Sequence, residues 1–179
     1  GYRSRSAFKL IELNKKYKFI KKDTKLLDVG AYPGGWSQVS SKIITSGKIL
    51  SLDLKKMDQI KNVSFLQSNF LEENTKEKVF NFFSGSLNVV LSDMAADTTG
   101  NKSLDCIRTN QLCANVINFS SKILLPNGVL ISKLFMGDDF LEVKDLAKSK
   151  FKKVQFFKPE ASRNESKETY LYCAILKTL

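Results

Sequence analysis

The sequence predicts a doubly wound α/β fold built on a mostly parallel sheet, and three observations carry that reading. Short apolar runs alternate with longer amphipathic stretches along the whole chain, as when each strand is followed by a helix. The run Leu26-Leu27-Asp28-Val29 is almost continuously apolar, as expected of a parallel strand covered on both faces. It opens directly into Gly30-Ala31-Tyr32-Pro33-Gly34-Gly35. A second run, Ile49-Leu50-Ser51-Leu52, ends in Asp53, 23 residues after Gly30. In nucleotide-type folds an acid at that tip bonds ribose hydroxyls.

Composition narrows the classes. The 179 residues suffice for a single domain, 1–179, with a substantial core. With 42% hydrophobic and 26% charged residues the balance is globular, and no apolar run approaches the roughly 20 residues that span a bilayer. No membrane partner is expected, and no targeting segment is visible. Cys106, Cys113 and Cys173 are odd in number and lack metal spacing, so they read as core thiols in a reducing compartment. Histidine is absent, which removes Ser-His-Asp triads, Cys-His pairs and histidine metal sites; no metal is expected. The 29 basic residues exceed the 18 acidic ones by 11, a charge that suits a polyanionic partner.

Taken in order, residues 3–19 are predicted helical, with Ala7, Leu10, Ile11 and Asn14 along one face and Ser4 or Ser6 as the cap. Arg3, Arg5 and Lys9 make its beginning basic, and Lys21-Lys22-Asp23-Thr24 connects it to the first strand. After that strand the glycines permit a tight turn and close approach of a ligand. Ser37-Gln38 then start a helix whose free N–H groups face the same spot. Tyr32 occupies the second glycine position of the dinucleotide pattern, which leaves little room for a pyrophosphate. The helix runs to about Ser46, with Gly47 as its C′ residue. Strands follow at 49–53 and 63–67, then Ser68-Asn69-Phe70, a charged helix over 72–83, and a strand from Leu87 with Asp93 at its carboxyl tip. A polar segment from Asp97 to Asp105 precedes a long helix striped by Leu112, Val116, Ser120 and Ile123, which Pro126-Asn127-Gly128 breaks. The strand 129–135 places Lys133 in an apolar run, where an ammonium must be paired or functional. A helix at 140–150, a strand at 154–157, a polar loop at 158–167 containing Arg163, and a last strand at 168–176, entered at Glu168, complete the chain.

The turn Asp28-Val29-Gly30-Ala31-Tyr32-Pro33-Gly34-Gly35-Trp36-Ser37-Gln38 resembles the cofactor turn of the FtsJ/RrmJ family of RNA 2′-O-methyltransferases, Asp-Leu-Gly-Ala-Ala-Pro-Gly-Gly-Trp-Ser-Gln. The resemblance begins at Arg3-Ser4-Arg5-Ser6-Ala7-Phe8-Lys9-Leu10 and ends at Ser166-Lys167-Glu168-Thr169-Tyr170, so it covers nearly the whole chain. It implies a Rossmann-like methyltransferase fold: a seven-stranded sheet, mostly parallel, with the last strand antiparallel. It also implies S-adenosylmethionine as cofactor and S-adenosylhomocysteine as product. The cofactor would be held by Asp28, Gly30, Pro33, Gly34, Gly35, Trp36, Asp53, Leu54, Asn69, Phe70 and Asp93. Asn69 departs from the family's Gly-Asp-Phe, whose acid contacts the adenine amino group; its amide oxygen can still accept a hydrogen bond.

Lys9, Asp93, Lys133 and Glu168 match the family's Lys-Asp-Lys-Glu catalytic tetrad, at separations of 84, 40 and 35 residues that only a fold can close. Methyl transfer to a ribose hydroxyl needs an in-line oxygen, a route for its proton and compensation of its growing charge. Lys133 is the candidate for the hydroxyl, as base or as cation; a neighbouring Lys9 would favour the neutral base and Asp93 would oppose it. Arg3, Arg5 and Arg163 are expected to touch RNA. The resemblance therefore implies 2′-O-methylation of RNA, with a uridine of large-subunit ribosomal RNA as target and the RNA or the subunit as partner. Alternatives are a tRNA methyltransferase and a catalytically silent RNA-binding domain. A nicotinamide oxidoreductase suits the fold but not Tyr32 or the tetrad. A monomer is expected, in the cytoplasm of a bacterium, or in a mitochondrion or another organelle of a eukaryote.

Overall fold

A computed structural model describes residues 1–165 and 167–178; Ser166, in the motif that closes the resemblance, lies outside them. The chain runs α1 (Ser6–Tyr17), β1 (Lys25–Val29), α2 (Gly35–Ile43), β2 (Lys48–Asp53), β3 (Ser64–Gln67), α3 (Glu73–Phe82) and β4 (Leu87–Ser92). It continues with α4 (Lys102–Ile123), β5 (Leu124–Phe135), α5 (Phe140–Lys150), β6 (Phe151–Phe157), a short 3-10 turn (Glu160–Ser162) and β7 (Glu168–Leu176). The seven strands form one sheet in the order β3-β2-β1-β4-β5-β7-β6. Only β7 runs antiparallel, against both β5 and β6, as the resemblance implies.

Alternation along the strands builds two cores. Leu26 of β1 faces α1 and α2, where it packs with Leu10, Leu13, Trp36 and Val39. Leu27 and Val29 face the other side, against Val79 of α3, Val116 and Ile117 of α4 and Ala147 of α5. Asp28 points to the α1/α2 face between them, buried, and accepts a hydrogen bond from Ser37 Oγ at 2.7 Å. The three cysteines are free and buried, and burial pushes the Cys113 thiol up to about 12, so it remains an uncharged core group.

Several boundaries differ from expectation, each for a local reason. Neither serine caps α1: the N-cap is Arg5, with no side-chain cap bond, and the Ser6 hydroxyl is turned to Asp93 instead. Gly47 is not a C′ residue, since α2 ends at Ile43; a Cβ at 47 would stand 2.0 Å from the Thr24 carbonyl oxygen, so close chain approach requires glycine there. Pro126-Asn127-Gly128 does not end α4 either. β5 starts at once with Leu124, and the triplet lies within it where the ladder to β4 shifts register between Leu87 and Val89. A proline without an N–H is tolerated at such an irregularity. β6 begins three residues earlier than the apolar pattern suggests, because Phe151 and exposed Lys153 already pair with Leu176 and Ala174 of β7.

Candidate active site

β1 lies between β2 and β4, so the chain crosses the sheet in opposite directions from this point. A crevice opens beyond the carboxyl ends of these strands. Gly30, at the tip of β1, has φ +70°, and a Cβ there would fall 2.4 Å from Met94 Cγ. Glycine thus lets the β1 turn and the β4 loop meet at the floor of a cleft of about 690 Å³. Asp53, at the tip of β2, is held by two backbone donors: Tyr32 N–H to Oδ2 and Lys55 N–H to Oδ1, both at 2.9 Å. Its remaining lone pairs are fixed at the cleft wall. Asn69 Oδ1 accepts from Leu71 N–H at 3.0 Å, which pins the amide. The oxygen expected to serve a ligand keeps one lone pair for it, and the amide NH₂ is free.

Of the residues assigned to cofactor, Gly30, Asp53, Leu54, Asn69, Phe70 and Asp93 line this cleft. Asp28, Pro33, Gly34, Gly35 and Trp36 are not among its lining residues. Trp36 is buried, packs on Tyr170 and donates its indole N–H to Ser6 O at 2.8 Å. Asp28 is pushed up to about 7, chiefly by burial and further by Asp93 and Asp53, against the opposing Ser37 hydrogen bond. The opposite wall, Arg108, Gln111, Leu112 and Asn115 of α4, was not anticipated; its only sequence signal is the helix's unusually polar continuation beside an apolar stripe.

At the edge of the cleft the four tetrad residues join in one chain of ion pairs. Lys133 Nζ lies 3.3 Å from Asp93 Oδ1 and 3.2 Å from Glu168 Oε1, and Glu168 Oε2 accepts from Lys9 Nζ at 2.9 Å. Antiparallel pairing of β5 with β7 sets Lys133 opposite Tyr170 and brings Glu168 to its end. Asp93 also accepts from Tyr170 Oη at 2.6 Å and from Ser6 Oγ at 2.5 Å. A fifth charged group was not foreseen: Glu165, half exposed, receives Lys9 Nζ at 3.0 and 3.1 Å. Glu168 therefore stands between the two lysines. Burial alone would lower the Lys133 pKa, but Asp93 and Glu168 more than reverse this and raise it, so Lys133 is an ammonium. Depression of Lys133 by Lys9 is not what the geometry provides. Burial, and a hydrogen bond with Glu165, raise the Glu168 carboxyl against the two lysines.

The arginines behave differently. Arg3 donates to three backbone carbonyls, of Pro33 at 3.1 Å, Asp58 at 2.8 Å and Gln59 at 3.1 Å. It straps the β1 turn to the β2–β3 connection, so three of its N–H groups are already engaged within the chain. Arg163 is exposed and paired with Glu160, and Arg5 is exposed at the start of α1. Among the described residues no cluster of acids and thiols could hold a metal, and no helix is long and apolar enough to cross a membrane.

The FtsJ-like methyltransferase family model matches residues 2–176. Among curated proteins, the Ribosomal RNA large subunit methyltransferase E of Pelagibacter ubique is 44% identical over 177 residues, covering 99% of this chain and 87% of its own. A Plasmodium falciparum protein described as a ribosomal RNA methyltransferase has a crystal structure that superposes with a TM-score of 0.86 at 33% identity, over 98% of each chain. Human methyltransferase-like protein 13, crystallised with S-adenosylhomocysteine, shares the fold at TM-score 0.64 and 16% identity, over 94% of this chain and 79% of its own.

Proposed function

The chain belongs to the FtsJ-like methyltransferase family, and from that premise we propose that it methylates the 2′-hydroxyl of a uridine in large-subunit ribosomal RNA. Its methyl donor is S-adenosylmethionine. The cleft fits that group: a fixed carboxylate at Asp53 for ribose hydroxyls, apolar Leu54, Phe70 and Leu112 for an adenine ring, and the Gly30 cradle without a side chain. When bound it supplies an electrophilic methyl on a positively charged sulfur.

The observation that carries the reading is the unbroken chain Lys9–Glu168–Lys133–Asp93 at the mouth of that cleft. Asp93 is fixed by Tyr170 and Ser6, so it orients Lys133 toward the space where a ribose would lie. Lys133 donates to the attacking hydroxyl oxygen and offsets the negative charge that grows on it. The methyl–sulfur bond would break as the new carbon–oxygen bond forms; Lys133 would first pass one proton to Glu168 Oε1, and the lone pair so freed on Nζ would take the hydroxyl proton. The lysine ends the step still charged and Glu168 ends it neutral. Glu168 suits this role because its proton affinity is raised above that of an ordinary carboxylate. All four groups come from one chain, which supports action as a monomer. Bacterial relatives support a cytoplasmic setting, or an organelle with its own ribosomes in a eukaryote.

The test is methyl transfer into purified large ribosomal subunits, naked large-subunit rRNA and total tRNA, with mapping of the modified nucleotide. A 2′-O-methyluridine in large-subunit rRNA is expected. Methylation of tRNA alone would move the reading to the tRNA enzymes, and cofactor binding without transfer to any RNA would overturn it.

A further inference from the structure

A dense run of positive charge lies away from the catalytic tetrad. Residues 15–25 hold six lysines, Lys15, Lys16, Lys18, Lys21, Lys22 and Lys25, against Asp23 alone, a net +5 of the chain's +11. α1 starts at Ser6, bonded to Asp93, and its 12 residues end at Tyr17. At 1.5 Å per residue its far end is about 18 Å from the catalytic centre. Lys15 and Lys16 complement the negative end of the helix dipole. That account stops with the helix and leaves Lys18, Lys21 and Lys22 unexplained.

These lysines are held outward by a rigid backbone. Lys18 takes the left-handed conformation, and Asn14 Oδ1 accepts from both Phe19 N–H at 3.1 Å and Ile20 N–H at 2.9 Å. Phe19 and Ile20 are buried, so the flanking ammoniums face solvent. Lys22 O accepts from Thr45 N–H and Ser46 N–H at 2.9 and 2.8 Å, which fixes the far end of the run. Beside it, at the amino ends of the strands, is a second cleft of about 340 Å³, lined by Tyr17, Lys18, Lys21, Asn127 and Tyr172 among others. Tyr17 and Tyr172 stack flat, with centroids 3.9 Å apart, and the Tyr17 hydroxyl is buried with no partner among the described residues. A buried hydroxyl without a partner is costly unless a ligand or water meets it. The basic surface continues over the sheet edge, where Lys16 Nζ lies 5.3 Å from the Phe157 ring centroid and Lys153 Nζ lies 5.8 Å from that of Tyr172.

We propose that this end of the molecule is a second RNA-binding site, which docks a phosphodiester stretch of the substrate remote from the target nucleotide. Lys18 and Lys21 take phosphate oxygens at the mouth of the cleft, Lys22 extends the contact, and the Tyr17 hydroxyl donates to a phosphate or ribose oxygen inside. Clustered ammoniums, an amide and a free hydroxyl donor match RNA backbone chemistry, and the rigid frame limits the ordering cost of binding. The site rests on the RNA-methylating reading and adds to it where the substrate is anchored.

The test compares the triple variant Lys18→Gln/Lys21→Gln/Lys22→Gln with a control that removes equal charge elsewhere, Lys78→Gln/Lys122→Gln/Lys148→Gln. For a long rRNA fragment the first variant should raise KM about tenfold near 0.15 M salt. It should also flatten the log–log salt dependence of binding by about 2, since each lost phosphate contact removes about 0.7–0.9. Maximal rate, cofactor affinity and melting temperature should stay those of the wild type. A short oligonucleotide around the target nucleotide should not distinguish the two proteins. Tyr17→Phe should weaken the long fragment a few-fold with no change of slope. An unchanged slope and KM, or an equal effect of the control variant, would overturn the site. If the wild-type protein methylates no RNA, the functional reading fails, while the same binding comparison still decides the docking site.

Discussion

Lys133 is an ammonium paired on both sides, by Asp93 and Glu168, and the proposed mechanism sets what its variants must do. Lys133→Ala should cut methyl transfer about 10²–10⁴-fold at unchanged cofactor affinity, measured as single-turnover rate against calorimetry. Lys133→Arg should not restore it, because a guanidinium neither relays a proton nor fits between Asp93 and Glu168. The wild-type rate should fall as acid protonates Glu168, at a pH above the ordinary value of a glutamate because burial raises that carboxyl; Glu168→Gln should lower the rate at every pH and leave no such acid limb. Asp28 makes a separate, structural prediction. Its pKa is raised from 3.8 to about 7, so the native state holds a proton that the unfolded chain releases near pH 4. The stabilisation is therefore complete below about pH 4 and lost as pH rises through about 7, a span worth roughly 4 kcal/mol at most. Asp28→Asn should remove that decline, read as melting temperature from pH 5 to 8. At Asn69 the amide oxygen already caps Leu71 N–H. An aspartate would keep the cap and turn a second carboxylate oxygen, an acceptor, toward the cleft. Asn69→Asp should therefore tighten cofactor binding by calorimetry; a clear loss would show that the amide donor is the working end.

At the scale of elements, α1 ties both ends of the catalytic machinery. Its Glu12 accepts from Glu160 N–H at 2.8 Å and Ala161 N–H at 3.0 Å, and so holds the 158–165 segment that carries Glu165 to Lys9. Glu12→Ala should free that segment, with a stability loss of about 1.5–3 kcal/mol if both bonds keep their charge-assisted strength. It should also lower methyl transfer without altering cofactor affinity; unchanged proteolytic sensitivity in the 158–165 segment would refute the tether. Elements of this kind show where sequence reading works. The central strands were legible because a parallel strand buried on both faces is an apolar run, as in Leu26-Leu27 and Val129 to Leu134. The ends were not. Gly47 looked like a helix stop because the carbonyl it must clear, that of Thr24, lies 23 residues away in the chain. Ser6 looked like a cap because its actual partner, Asp93, lies 87 residues on.

For the molecule as a whole, the family motif made four distant residues legible as one site, and the sheet order closes those separations. It could not disclose the residues that act on the four. Ser6 and Tyr170 lie within the motif segments, but that both bond Asp93, and that Glu165 meets Lys9, is set by three-dimensional contact alone. Nor could charge alone separate Arg3, consumed by three carbonyls, from Lys18 or Lys21, which face solvent. One contact unites these parts. Trp36 is the chain's single tryptophan, and its indole donates to the carbonyl of Ser6, whose hydroxyl in turn donates to Asp93. Every ultraviolet photon the protein emits from an indole therefore originates two hydrogen bonds from the Asp93 carboxylate. Its emission should be blue-shifted and poorly quenched by iodide, and should change when Asp93→Asn alters the charge beside Ser6. With that response the enzyme would carry a native optical probe, through which charge at Asp93 is followed in real time without a label.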